Sequence, residues 1–276
     1  MSEQRASWAR IMAPVVGGDV DAGVLQAAAV IAGAFEAELA AVFAPADVAD
    51  VLPWIGEGFM GGIQVTAIES LKEAAVEGER LARAWLEACD YQHKAFVALS
   101  SPVWSGMALE SRLSDLVVFD DSAARGRGPL GETFQQMIAE EQRPVLVVRQ
   151  GLQADGCVAI AWDGGKEASR AVRTALPLLH KAHQVVILTA PAATSREFDP
   201  QRLVSFLGGH GVTAEVRTLT GSGDAAGLLL EGARQAAANL LVAGAFGHPR
   251  LQEFIFGGTT RSLLAAEGGP SLFLSH

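Results

Sequence analysis

The sequence predicts an α/β protein built as two tandem doubly wound domains, each with a five-stranded, mostly parallel sheet flanked by helices. Three observations carry this expectation. First, the chain repeats itself. IMAPVVGGDVDAGVLQAAAVIAGAFEAELAAVFAP (residues 11–45) and VAIAWDGGKEASRAVRTALPLLHKAHQVVILTAP (158–191) both run as apolar strand, Gly-Gly turn, alanine-rich helix and second apolar strand ending in Ala-Pro. Second, short runs such as VVIL and LLVAG are apolar throughout rather than alternating, as in a sheet covered on both faces. Third, strand and helix patterns alternate with short links, which implies right-handed crossovers in a layered domain.

The elements follow in order. Apolar Ala22–Phe35, bracketed by Asp19, Asp21 and Glu36, reads as a buried helix, too short to span a bilayer. Ala46–Gly62 is a loop-like insert carrying Trp54, Phe59 and Met60; it reads as a lid on its own domain or as a partner surface. A long helix over Val65–Ala88 follows. SDLVVFDD (114–121) and RPVLVVRQ (143–150) are strands, answered in the second copy by ANLLVAGA (238–245) and GPSLFLSH (269–276). The copies join near Gly151–Asp155, giving domains 1–151 and 152–276. In the second copy strands are expected at Cys157–Trp162, Gln184–Thr189, Val212–Thr218, Asn239–Ala243 and Ser271–Leu274. Its helices are expected near Lys166–Lys181, Pro200–Leu207, Ala225–Ala237 and Thr259–Ala266. PVLVV and PSLFL are apolar edge strands that need cover, so the copies are expected to pack through their last strands as an intramolecular pseudo-dimer.

Bulk properties exclude several classes. The 276 residues are 50% hydrophobic and 19% charged, enough to bury a core. A formal net charge of −10 without a Lys/Arg cluster argues against nucleic acid or an anionic membrane as partner. Cys89 and Cys157 sit in unrelated contexts without metal-ligand spacing, so a reducing, cytoplasmic setting is expected. His180 and His183 have no third ligand beside them and read as helix-end residues, and no metal site is expected.

One stretch carries chemistry. GAFGHPRLQEFIFGGTT (244–260) follows an apolar strand and places glycine at 244, 247, 257 and 258. Glycine lets backbone N–H groups turn inward and approach a ligand closely. A helix opening at TTRSLL adds partial positive charge, typically ~0.3–1 kcal/mol per favourable contact. Arg250 and Arg261 lie nearby, with Glu253 the one acid inside the loop. The balance suits a di- or triphosphate; the alternative is a tight strand–helix link. In doubly wound sheets ligands sit outside the carboxyl ends of the strands, which brings Asp163, Gly164 and Gly165 to the same rim.

Gly244-x2-Gly247-x9-Gly257, with Asp163 closing the first strand of the same copy, resembles the nucleotide loop of the universal stress protein family. The resemblance spans both copies, strong in the second and faint in the first. It implies five-stranded parallel domains found as dimers or tandem pseudo-dimers, and a bound adenine nucleotide. Carried over, Asp163 meets the adenine edge with Ala161 beside it, where many members have proline. Ala243 and Gly244 face the ribose, and Gly247, Gly257, Gly258 and Thr259 line the phosphates. The position after the third glycine, Ser or Thr in many ATP binders, is Gly258 here; Thr259 or Thr260 stands in from one residue further on. ATP, with or without Mg2+, AMP and ADP all stay open as the ligand.

The first copy departs from the pattern. Val16 stands where Asp163 stands, and Asp120 and Asp121 stand where Gly244 and Ala245 stand, so carboxylates are expected to oppose a phosphate there. GRGPLG (126–131) follows the fourth strand of its copy rather than the first, which argues against a dinucleotide fold. In GSGDAAG (221–227), Asp224 reads as a helix cap. No P-loop and no catalytic set declares itself.

The expected function is a stress-response regulatory module binding one adenine nucleotide in its C-terminal domain. Rival readings are a slow ATP hydrolase, with only Glu253 or His248 near the phosphates, and a nucleotide-independent interaction module. A homodimer and a protein partner stay open.

Overall fold

One ten-stranded sheet runs through the whole molecule. The computed structural model describes residues 7–46, 62–100, 102–149, 151–189, 199–221, 223–245 and 258–276. Strands β1 (Arg10–Val15), β2 (Glu38–Phe43), β3 (Lys94–Ala98), β4 (Leu116–Asp120) and β5 (Val145–Val148) lie in the order β3-β2-β1-β4-β5. Strands β6 (Cys157–Ala161), β7 (Gln184–Thr189), β8 (Glu215–Thr218), β9 (Leu240–Gly244) and β10 (Ser271–Ser275) continue it as β10-β9-β6-β7-β8. The second half thus repeats the strand order of the first in reverse across a central seam. Within each half neighbouring strands are parallel. At the seam β5 and β10 pair antiparallel, Leu272 opposite Val147 and Phe273 opposite Leu146. The apolar last strands thereby cover each other's edges, as expected, and do so by backbone pairing.

Helices cover both faces. Those before the seam are α1 (Val20–Phe35), α2 (Gly62–Ala88), α3 (Val103–Arg112), α4 (Asp121–Ala124) and α5 (Gly131–Ala139). Those after it are α6 (Lys166–Lys181), α7 (Gln201–Gly209), α8 (Ala225–Gln235) and α9 (Gly258–Ala265). Two core layers result. One packs Leu25 and Ile31 of α1, Leu86 of α2, Val172 and Leu178 of α6 and Leu203 of α7 on Ile11, Val118, Ile160 and Phe273. The other packs Met107, Phe134 and Met137 with Leu229 of α8 and Leu263 of α9 on Met12, Val117, Ala159 and Leu274. Adjacent strand residues point to opposite faces, so both layers draw on the same apolar strands. The first layer crosses the seam. Trp8 stacks on Phe273 with ring centroids 6.2 Å apart and planes 5° apart, and Lys181 Nζ lies 5.5 Å from the centre of the Phe35 ring.

Helix α6 keeps its sequence-predicted bounds, and the long helix after the insert begins a few residues early, at Gly62. Strand β8 begins at Glu215 rather than Val212. Val212 is buried, but its N–H donates to Leu207 O in the turn closing α7, so it serves the core without joining the sheet. Cys89 and Cys157 are free and buried, and burial pushes both thiols up. Among the described residues no helix is long and apolar enough to cross a membrane. The insert around Trp54 lies outside the described residues.

Candidate functional site

Strands β6 and β9 are parallel neighbours, Val158 opposite Leu240 and Ile160 opposite Val242. From β6 the chain passes through α6 to β7 on one side, while β9 lies on the other. The strand order reverses here, and the crevice outside the two carboxyl ends is where doubly wound sheets take ligands. Gly244 ends β9, and Asp163 stands two residues beyond β6. Ala161 pairs with Leu188 at the end of β6, and buried Ala243 pairs with Leu274.

The β6–α6 link is built by Asp163 and its glycines. Asp163 is exposed, and its Oδ1 accepts a 2.7 Å hydrogen bond from Gly165 N. Gly164 adopts φ +72°, a left-handed conformation that favours glycine. Gly165 then caps α6 with no side chain of its own to offer. The carboxylate therefore satisfies one of the helix's orphan amides.

Gly244 has no space for a side chain. A Cβ there would lie 2.5 Å from Ala168 N and 2.6 Å from the Glu167 carbonyl carbon, both in the first turn of α6. The end of β9 and the start of α6 thus meet backbone to backbone. Glu167, beside this contact, is buried, and its Oε1 makes no hydrogen bond. It lies 3.4 Å from Lys166 Nζ, within ion-pair range but out of hydrogen-bond alignment. A buried carboxylate oxygen left in this way is an acceptor lacking a donor. In the sequence Glu167 carries no signal beyond its spacing four residues after Asp163. His276 gives no signal in the sequence either, and its Nδ1 is 3.1 Å from the carbonyl oxygen of Ala245, the residue after Gly244.

Gly247 and Gly257, with Arg250, lie outside the described residues. Gly258 is the first residue of α9, exposed, with nothing within 4 Å of where a Cβ would stand. The two hydroxyls expected near the phosphates part company. Thr259 is exposed at the helix start, whereas Thr260 is 6% exposed and turns into the core.

The matching crevice of the first half, between β1 and β4, is built differently. Gly17 holds φ +84°, and a Cβ on it would overlap the backbone of Gly78 in α2. Helix α2 therefore lies directly on the β1–α1 turn. The buried Asp21 carboxylate accepts from Val16 N (3.1 Å) and Gly17 N (2.7 Å). Burial holds its carboxyl above the usual range, against the opposing pull of those backbone bonds. Asp120 caps α4, accepting from Ser122 N at 2.8 Å and Ala123 N at 3.3 Å, and also from the Ser122 hydroxyl. Asp121 pairs with Arg149 (2.8 Å) and Arg125 (2.5 Å). The two carboxylates expected to oppose a phosphate here also serve the fold: Asp120 caps a helix and Asp121 binds two arginines.

The other sequence features resolve simply. Gly126 and Gly128 take φ +71° and +74°, and a Cβ on Gly131 would come 2.7 Å from the Gly126 backbone, so GRGPLG is the tight α4–α5 turn. Asp224 caps α8 through Gly227 N at 2.8 Å. His183 Nδ1 lies 2.8 Å from Asp155 O, and among the described residues no group of three His, Cys, Asp or Glu could hold a metal.

Comparison with known proteins gives a consistent answer at the level of fold. No protein-family model and no curated protein matches the sequence. A universal stress protein from Archaeoglobus fulgidus DSM 4304 superposes with a TM-score of 0.61 at 15% identity, covering 96% of this chain and 95% of that one. The chain has the universal stress protein fold. A structure carrying the same family name, from Pseudomonas aeruginosa UCBPP-PA14, gives a TM-score of 0.56 at 15% identity over 97% and 94% of the two chains. The cytoplasmic domain of a prokaryotic cation chloride cotransporter gives 0.52 at 14% identity, over 97% and 95%. Within the universal stress protein fold, the two halves of this chain differ at their crevices: Asp163 and Gly244 border one, while α2 lies on the other.

Proposed function

We propose that the chain is a tandem universal stress protein, with domains 1–151 and 152–276, that binds one adenine nucleotide in its C-terminal domain and acts as a stress-response regulatory module. The observation carrying this reading is the crevice between β6 and β9, where the Asp163 turn meets a strand end whose Gly244 leaves no room for any side chain. Glu167 supports it with a buried acceptor suited to a sugar hydroxyl. Exposed Thr259 supports it with a donor at the start of α9, where the helix dipole favours an anion. The acids at the first-half crevice, and α2 lying on it, support one site per chain rather than two.

The test is a calorimetric titration of nucleotide-stripped protein with Mg-ATP and with AMP, repeated on Asp163→Ala and Gly247→Glu. Expected is saturation near one nucleotide per chain and affinity at least tenfold weaker in both variants, a loss of about 1.4 kcal/mol. Unchanged affinity in both would remove these residues from the site. A second reading, an interaction module without nucleotide, draws on the comparable likeness to the cotransporter's cytoplasmic domain. Absence of heat with every adenine nucleotide decides for it.

A further inference from the structure

We propose that the cleft between α6 and α7 is a second ligand site, for a small aromatic or aliphatic monocarboxylate. The cleft measures about 230 Å³. Its floor is Trp162, Val172 and Leu203, all less than a tenth exposed, and Phe206 forms one wall. The cleft opens to solvent above this floor of buried apolar side chains. Its mouth has the opposite character. Arg173 and Arg202 line it with Ser169, and both arginines are exposed. The Arg173 guanidinium carbon lies 4.9 Å from the centre of the Phe206 ring, so the cation is held over the apolar wall.

The two ends select the ligand together. Among the described residues no acid lines the cleft, although the chain carries a net charge of −10. The Arg173 guanidinium, with Arg202 beside it at the mouth, favours an anion, and its planar fork matches a carboxylate. Among the described residues the floor is apolar apart from the Trp162 ring N–H, too little to satisfy the oxygens of a polyphosphate seated there. A single carboxylate on a ring or short chain satisfies both ends: the apolar body fills the cleft and the charge stays at the mouth.

The site is separate from the crevice between β6 and β9. Trp162, Val172 and Leu203 belong to the core layer under α6 and α7. Ala243 and Ala245 belong to the opposite layer, with Ala161 packed against it. Trp162 and Asp163 are adjacent, so the two sites lie on opposite faces of one strand end.

The probe is indole-3-propionate, titrated calorimetrically into the full-length protein, with the neutral indole-3-propanamide and the cation tryptamine as controls. Expected is saturable carboxylate binding that persists in excess ATP. It should weaken at least tenfold for the amide and in Arg173→Glu, an exposed position where folding is not at stake. Leu203→Trp, which fills the cleft, should abolish it, with the circular dichroism spectrum confirming a folded chain. The proposal is overturned if wild-type protein shows no saturable binding, if Arg173→Glu binds as tightly as wild type, or if ATP displaces the probe.

Discussion

Arg149 donates from Nη2 to the carbonyl oxygen of Leu263 at 3.0 Å, joining the residue after β5 to the last turn of α9 across the central seam. The same group reaches Leu264 O at 3.2 Å, while Nη1 reaches Pro270 O at 3.4 Å and Nε pairs with Asp121 at 2.8 Å. Arg125 adds a 3.0 Å bond to Ala266 O. A cation at a helix C-terminus satisfies orphan carbonyls and complements the helix dipole. Asp121, which stands where the second half has Ala245, has thus become part of a clamp on α9, the helix that Gly258 and Thr259 open.

Arg149→Met is expected to destabilise the protein by about 2–3 kcal/mol, because the Arg149 side chain is 6% exposed and its loss leaves buried carbonyls and a carboxylate under-partnered. Urea unfolding measures the total. Amide exchange measures its location: protection should fall first at Leu263, Leu264 and the rest of α9. Uniform loss of protection across both halves would assign the effect to the seam instead.

Gly244→Ala and Gly258→Ala separate two kinds of glycine. At 244 the new methyl meets α6 backbone that cannot rotate away, and a cost of about 1–3 kcal/mol is expected, with α6 displaced at its start. At 258 the methyl meets nothing and lies in a helix, so a gain of up to about 1 kcal/mol is expected. Thermal unfolding of the two variants should move in opposite directions.

Asp21 makes stability depend on pH with a definite sign. Burial raises its folded carboxyl above the ordinary aspartate value, so the native state holds that proton more tightly than the unfolded chain. Its contribution is fully present below the unfolded value and is lost as pH rises through the folded one. Asp21→Asn should therefore gain stability relative to wild type as pH rises from about 4, then hold a constant difference. Parallel urea titrations from pH 4 to 7 check this; a relative gain on lowering the pH would reverse the assignment.

The strands, α6 with its bounds, and the turn at Asp163 were legible in the sequence because each rests on local chemistry. Apolar runs of strand length, a 3.6-residue stripe and a glycine pair announce themselves within a few neighbours. Gly244 was legible as a special position, although as a guess about close approach to a ligand; the contact the structure adds is with the first turn of α6. What lay beyond reach came from pairs far apart in the chain. Gly78 lies on Gly17 through bare backbone, which leaves no pattern in composition or period. Arg149 and Leu263 are 114 residues apart, and nothing near either names the other. The partners of Asp120 and Asp121 lay beyond reach for the same reason, since their charges are answered by a helix start and by two arginines that only the fold assembles. Local propensity and periodicity determined the elements and their order. Which crevice stays bordered by glycine, and which is covered by a helix, was decided by long-range packing of backbone against backbone.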